Sequence, residues 1–128
     1  MTRRIIQTDA APQAIGAYSQ AVVSGQTLYV SGQIPLVPET MEQETGDIDA
    51  QVRRVFNNVT AVVEAAGGRL EQVIKLNVYL TDLANFPVVN EVLADFFDEP
   101  YPARAVVGVS ALPKGVPVEV DAIVALDA

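Results

Sequence analysis

The chain has 128 residues, half of them apolar, which is the size of one domain (residues 1–128) with a core able to stand without disulfides or metal. It contains no cysteine and no histidine, so disulfides, thiolate nucleophiles, cysteine zinc sites and the usual imidazole base are excluded, and acid–base work falls to Asp, Glu, Tyr or Lys. Sixteen acidic against eight basic residues give a net charge of −8, a field that repels nucleic acid and anionic membranes; with no secretory leader and no membrane span legible, a cytoplasmic protein is expected.

In chain order, residues 4–7 read as an edge strand, and residues 20–23 and 27–31 as a hairpin joined through Ser24-Gly25-Gln26. Residues 35–47, with two prolines and the acids Glu39, Glu42, Glu44 and Asp47, read as a solvated loop without metal-ligand spacing. Over residues 48–66 the apolar positions Ile48, Val52, Val55, Phe56, Val59, Val62 and Val63 recur every three or four residues, which predicts a helix capped by Asp47 and stopped by Gly67-Gly68. Residues 74–81 alternate: Ile74, Leu76, Val78 and Leu80 on one face, Lys75, Asn77, Tyr79 and Thr81 on the other. A second helix is expected over residues 83–97, with Phe86, Val89, Leu93 and Phe96 inward and Pro87 tolerated in the first turn. Residues 103–109 and 116–125 read as a terminal hairpin joined through Leu112-Pro113-Lys114-Gly115. The order is β-β-β-α-β-α-β-β, an α+β layout with a mixed sheet and both helices on one of its faces.

In the expected hairpin, Ala105, Val107 and Val109 share the helix-covered face with Val118, Val120, Ala122 and Val124. That places Arg104 and Glu119 together on the uncovered face, beside Tyr29, Ser31, Tyr79, Val106 and Ile123. Such a face is either an oligomer interface holding a site or an ordinary solvated surface with a weak ion pair, worth at most ~1 kcal/mol.

Several separated stretches carry a resemblance. Tyr101-Pro-Ala-Arg-Ala-Val-Val-Gly-Val-Ser-Ala-Leu-Pro is followed by Val118-Glu119-Val120, and is preceded by Ile15-Gly-Ala-Tyr18-Ser-Gln, Ser31-Gly-Gln-Ile-Pro, Asn58 to Gly67, and Tyr79-Leu-Thr-Asp-Leu-Ala-Asn-Phe with Asn90. In this order, and over nearly the whole length, they resemble the Rid family of reactive intermediate deaminases, also called the YjgF family. The resemblance implies a chorismate-mutase-like fold and a homotrimer whose sheets line a central barrel, with sites in the clefts between subunits. It implies hydrolysis of 2-iminopropanoate or 2-iminobutanoate to a 2-oxo acid and ammonia, without any cofactor or metal.

Carried onto this chain, the resemblance makes Arg104 the carboxylate clamp, a task suited to the bidentate guanidinium. It makes Glu119 the group that activates water, as a carboxylate within hydrogen-bond reach can. Tyr18, Ser31, Gly32 and Asn90 match positions around the substrate, with Tyr18 either donating a proton or ordering water. For Ser31, Gly32 and Asn90, turn and cap chemistry is the competing reading. Val106 stands where many members carry cysteine, which bears on pocket shape. Other readings stay open: a deaminase of another enamine or aminoacrylate-like intermediate, a non-catalytic module that holds a 2-oxo acid or protects proteins, and the ribonuclease role proposed for some relatives. Acidity and the lack of histidine argue against the last.

Overall fold

The computed structural model describes residues 3–128; Met1 and Thr2, which begin the segment read for a leader, lie outside the described residues. β1 (Arg3–Ile6) runs antiparallel to β2 (Ala21–Ser24), which turns into β3 (Thr27–Gln33). Ser24 pairs with Thr27, leaving Gly25 and Gln26 as the turn, and Gly25 takes φ +62°. Short hairpin turns need that left-handed value, and glycine adopts it without a Cβ clash.

α1 (Ile48–Ala65) begins where Asp47 accepts a hydrogen bond from the Ala50 N–H at 3.0 Å. It ends at Gly67, φ +87°, after which the Gly68 N–H returns to the Val63 carbonyl at 3.0 Å. Val52, Val55, Phe56, Val59, Val62 and Val63 on its inner stripe are fully buried, each worth roughly 1.5–3 kcal/mol of apolar burial. The second expected helix divides: Leu83–Asn85 is a 3-10 turn, and α2 (Phe86–Phe96) follows with Pro87 in its first turn and Val89, Val92 and Leu93 buried. The loop after β3 is more tightly held than a solvated loop. Leu36 is buried, the side-chain amide of buried Asn58 donates to the carbonyls of Ile34 and Leu36, and Glu44 pairs with Arg54 at 3.2 Å.

β4 (Val73–Leu80), β5 (Ala103–Gly108) and β6 (Val118–Ala125) complete a six-stranded sheet in the order β1-β2-β3-β6-β4-β5. β4 and β5 are parallel, joined over α2, and every other pairing is antiparallel. The expected terminal hairpin does not form. β6 inserts between β3 and β4, while β5 lies at the far edge beside β4 alone. Val118, Val120, Ala122 and Val124 of this inserted strand are buried, as suits an apolar row at the centre of the sheet. The Pro113–Gly115 stretch is a 3-10 turn within a longer connection that steps past the end of β4.

This register reverses the faces expected for β5. Leu76 pairs with Arg104 and Val78 with Val106, so Arg104 and Val106 lie on the helix-covered face, whereas Ala105 and Val107 lie on the uncovered one. Apolar residues of an edge strand need not be buried; Val107 is 43% exposed. β4 also departs from strict alternation. A bulge between Val73 and Lys75 turns Ile74 outward and puts Val73 in the core instead.

Candidate functional site

The residues singled out from sequence gather in two groups. The first is at the sheet's edge under α2. Phe86 and Asn90, one helical turn apart, present themselves on the same side of α2. The Arg104 guanidinium lies 5.1 Å from the Phe86 ring centroid and donates from Nη1 to Asn90 Oδ1. Both contacts hold the planar group without neutralising it, since a ring face and a neutral amide carry no formal charge. Among the described residues no carboxylate forms an ion pair with Arg104. Beneath it opens a hollow of about 500 Å³ with Leu76, Leu93, Phe97 and Tyr101 in its walls. An uncommitted guanidinium fork at the mouth of an apolar hollow can take a carboxylate whose remainder is small or apolar.

The second group lies on the opposite face. β3 bulges between Val30 and Gln33, spending three residues where β6 spends two. The extra residue brings Ser31 and Gly32 beside Glu119, so close that a Cβ on Gly32 would stand 2.1 Å from Glu119 Oε2. Ser31 anchors the preceding segment: its hydroxyl donates to the Ser19 carbonyl at 2.6 Å, and its N–H to the Gln20 carbonyl at 2.9 Å. Buried Gln20 in turn ties down residues 8–12 through its amide. The anchored segment holds Tyr18 at the mouth of the hollow, its hydroxyl oxygen accepting from the Ile15 N–H at 3.3 Å. Glu119, Tyr18, Ser31 and Gly32 thus line one open hollow of about 410 Å³, with Ile15, Ile34 and Pro113 as its apolar walls.

Glu119 is half-buried, and its carboxylate makes no hydrogen bond or ion pair among the described residues. Burial, and after it the charge of Asp121, push its carboxyl above the ordinary value. Such a carboxylate is a better proton acceptor than a solvated one.

One chain therefore unites Arg104 with Asn90, and Glu119 with Tyr18, Ser31 and Gly32, but keeps the two groups on opposite faces of the sheet. Val106 packs against the core and lines neither hollow. For Ser31 the turn-anchoring reading holds in its hydroxyl bond, whereas Asn90 caps no helix end and instead orients Arg104. Sequence reasoning missed Asp121, whose carboxylate accepts from Asn77 Nδ2 at 2.8 Å and from the Tyr79 hydroxyl at 2.9 Å. Asn77 and Tyr79 alternate outward along β4, as Asp121 does along β6, but only the pairing of β6 with β4 brings the three together.

Residues 8–126 match the protein family described as Endoribonuclease L-PSP. The 2-iminobutanoate/2-iminopropanoate deaminase of Dermatophagoides farinae is 46% identical over 98% of this chain and 98% of its own length. The crystal structure of RidA from the Antarctic bacterium Psychrobacter sp. superposes with a TM-score of 0.92 at 55% identity, covering 95% of this chain and 98% of that one. The crystal structure of Escherichia coli TdcF with bound serine superposes with a TM-score of 0.91 at 45% identity, covering 95% and 98%. With the family matched over nearly its full length and relatives this similar end to end, the chain belongs to the YjgF/Rid family, the family described as Endoribonuclease L-PSP.

Proposed function

We propose that this protein is a deaminase that hydrolyses reactive 2-imino acids to 2-oxo acids and ammonia, in sites formed between neighbouring copies of a homotrimer. The observation that supports this reading is a separation: Arg104, without a carboxylate partner, at one hollow and Glu119, without a hydrogen-bond or ion-pair partner, at another, on opposite faces of one sheet. Each half lacks what the other has. In a head-to-tail ring of chorismate-mutase-like subunits, the Arg104 edge of one copy meets the Glu119 hollow of the next. The deaminase name of the mite relative and the serine held by TdcF, an amino acid with a carboxylate to grip, support the substrate class.

The chemistry needs little more than these groups. Arg104 takes the substrate carboxylate in two parallel hydrogen bonds, its own orientation fixed by Asn90 and Phe86. Glu119 accepts a proton from water as the water oxygen bonds to C2 and the C=N π pair moves to nitrogen; nitrogen takes that proton, giving the neutral carbinolamine. The C2 hydroxyl proton is then passed to the nitrogen, with Glu119 as carrier, as the C–N bond breaks with its electron pair leaving on ammonia and the 2-oxo group forms. One water is consumed and no electrons are exchanged with any other species. The ribonuclease activity in the family's description finds less support, because the chain offers a net charge of −8 and no histidine to a polyanionic substrate.

The test is ammonia release from imines generated in situ by an amino-acid oxidase. Arg104→Ala and Glu119→Gln should each be nearly inactive. Co-expressed in equal amounts they should regain about a quarter of the wild-type turnover, since in a ring a site works wherever an intact arginine meets an intact glutamate. Mixed oligomers as inactive as their parents would overturn the shared site.

A further inference from the structure

Glu119 has a fixed acidic neighbour. Asp121 follows two residues along β6, on the same uncovered face and about 7 Å away by strand geometry. Both of its carboxylate oxygens are taken from β4: Oδ1 by Asn77 at 2.8 Å and Oδ2 by the Tyr79 hydroxyl at 2.9 Å. Tyr79 is moreover the residue paired directly with Glu119 across the strands. Clamped from two sides, the Asp121 carboxylate cannot swing away from Glu119 or into the hollow, and it does not line that hollow.

We propose that Asp121 is a positioning residue for Glu119: a carboxylate locked by Tyr79 and Asn77 that sets how readily Glu119 takes a proton, without itself touching substrate. The inference rests on the reading of Glu119 as the base. Its physical content is like-charge repulsion, which opposes ionisation of Glu119 and adds to the larger effect of burial. The bond to Asp121 also raises the Tyr79 hydroxyl above its ordinary value, so Tyr79 stays protonated and keeps donating. The other groups around Glu119 do not duplicate this charge. From β3 it meets the Gly32 backbone; from the 15–20 segment, the Tyr18 hydroxyl; from the 109–117 connection, Pro113, with exposed Lys114 beside it. Lys75 shares the face but pairs with Ile123, farther along the sheet. In the proposed ring, a neighbouring copy's Arg104 pulls the other way, so the clamped aspartate keeps Glu119 basic while that guanidinium is near.

The experiment is the pH dependence of kcat/KM in Asp121→Asn, with a carbon-detected NMR titration of the Glu119 carboxyl in the same protein. The amide keeps the shape and an acceptor for Tyr79 but removes the charge. The acid limb and the NMR midpoint should both move to lower pH, while 2-oxo acid binding at neutral pH stays within about twofold because Asp121 makes no substrate contact. Asp121→Glu should return the limb toward its wild-type position. A limb and midpoint unmoved in Asp121→Asn, with Glu119→Gln inactive, would overturn the role of Asp121 alone. An active Glu119→Gln would instead remove the base on which that role depends.

Discussion

Gly32 and Glu119 fit against one another only because Gly32 has no side chain: a Cβ there would lie 2.1 Å from Oε2 and 2.9 Å from Cδ of the glutamate. The requirement is for space, not for an unusual backbone angle, as Gly32 is not among the glycines with positive φ. The bulge in β3 makes this approach, and the approach seats the carboxylate.

Gly32→Ala should therefore separate fold from function. The methyl group has room to exist only if the Glu119 carboxylate moves aside, and a displacement of about 1 Å in a catalytic group can cost ~10² in rate. Turnover should fall on that scale, while the melting temperature changes little because the glutamate is half-exposed and can swing outward. The ammonia assay beside a thermal melt reads both. Turnover within twofold of wild type would mean that catalysis does not depend on where this carboxylate sits.

The uncovered face makes a separate prediction. Ile5, Val22, Tyr29 and Ile123 pair in succession across β1, β2, β3 and β6, forming a continuous apolar row. Ile5 and Tyr29 in that row are 50% and 51% exposed in the single chain. If this face lines the centre of a trimer, Tyr29→Asp places a charge in a closed apolar setting, which costs several kcal/mol unless it is paired. Sedimentation should report three chains for the wild type and dissociated chains for Tyr29→Asp, with turnover lost in parallel because the shared sites are gone. A stable wild-type monomer at micromolar concentration would remove the shared-cleft site altogether.

Local order was legible because it is written in local periodicity. The Asp47 cap, the valine stripe of α1, the Gly25 turn and the sequence of elements all follow from neighbouring residues. Strand order is a long-range property, and there the reading failed. Leu112-Pro113-Lys114-Gly115 looks like a hairpin turn whether or not the flanking strands pair, and nothing local reveals that β6 slots between β3 and β4. That error carried Arg104 and Val106 to the wrong face, since apolar Ala105 and Val107 suggest a core-facing row, whereas the register with β4 turns them onto the uncovered face and packs Val106 against the core. The residue types of the candidate site are suggested by family resemblance. Its division between two hollows, and the clamp on Asp121, became visible only with the true register.

Arg104 and Glu119 should be separable by binding as well as by rate. Arg104 is held by a ring face and a neutral amide, so its charge remains available to a carboxylate, and charge-assisted hydrogen bonds are about twice as strong as neutral ones. Arg104→Ala should abolish both turnover and calorimetrically detectable binding of a 2-oxo acid, the product that shares the substrate's carboxylate. Glu119→Gln keeps the shape and the seat against Gly32 but cannot accept the proton, and a well-placed general base is worth about 10²–10⁴ in rate. It should lose that much turnover while still binding the 2-oxo acid. Binding should even tighten slightly, because each chain carries a net charge of −8 and the anionic ligand enters against that field. Removing a negative charge from the site's own wall lowers the barrier where it matters most. The two halves of this prediction fail independently. Product binding that survives Arg104→Ala would place the clamp elsewhere, and wild-type turnover in Glu119→Gln would pass the base to Tyr18, whose hydroxyl opens onto the same hollow.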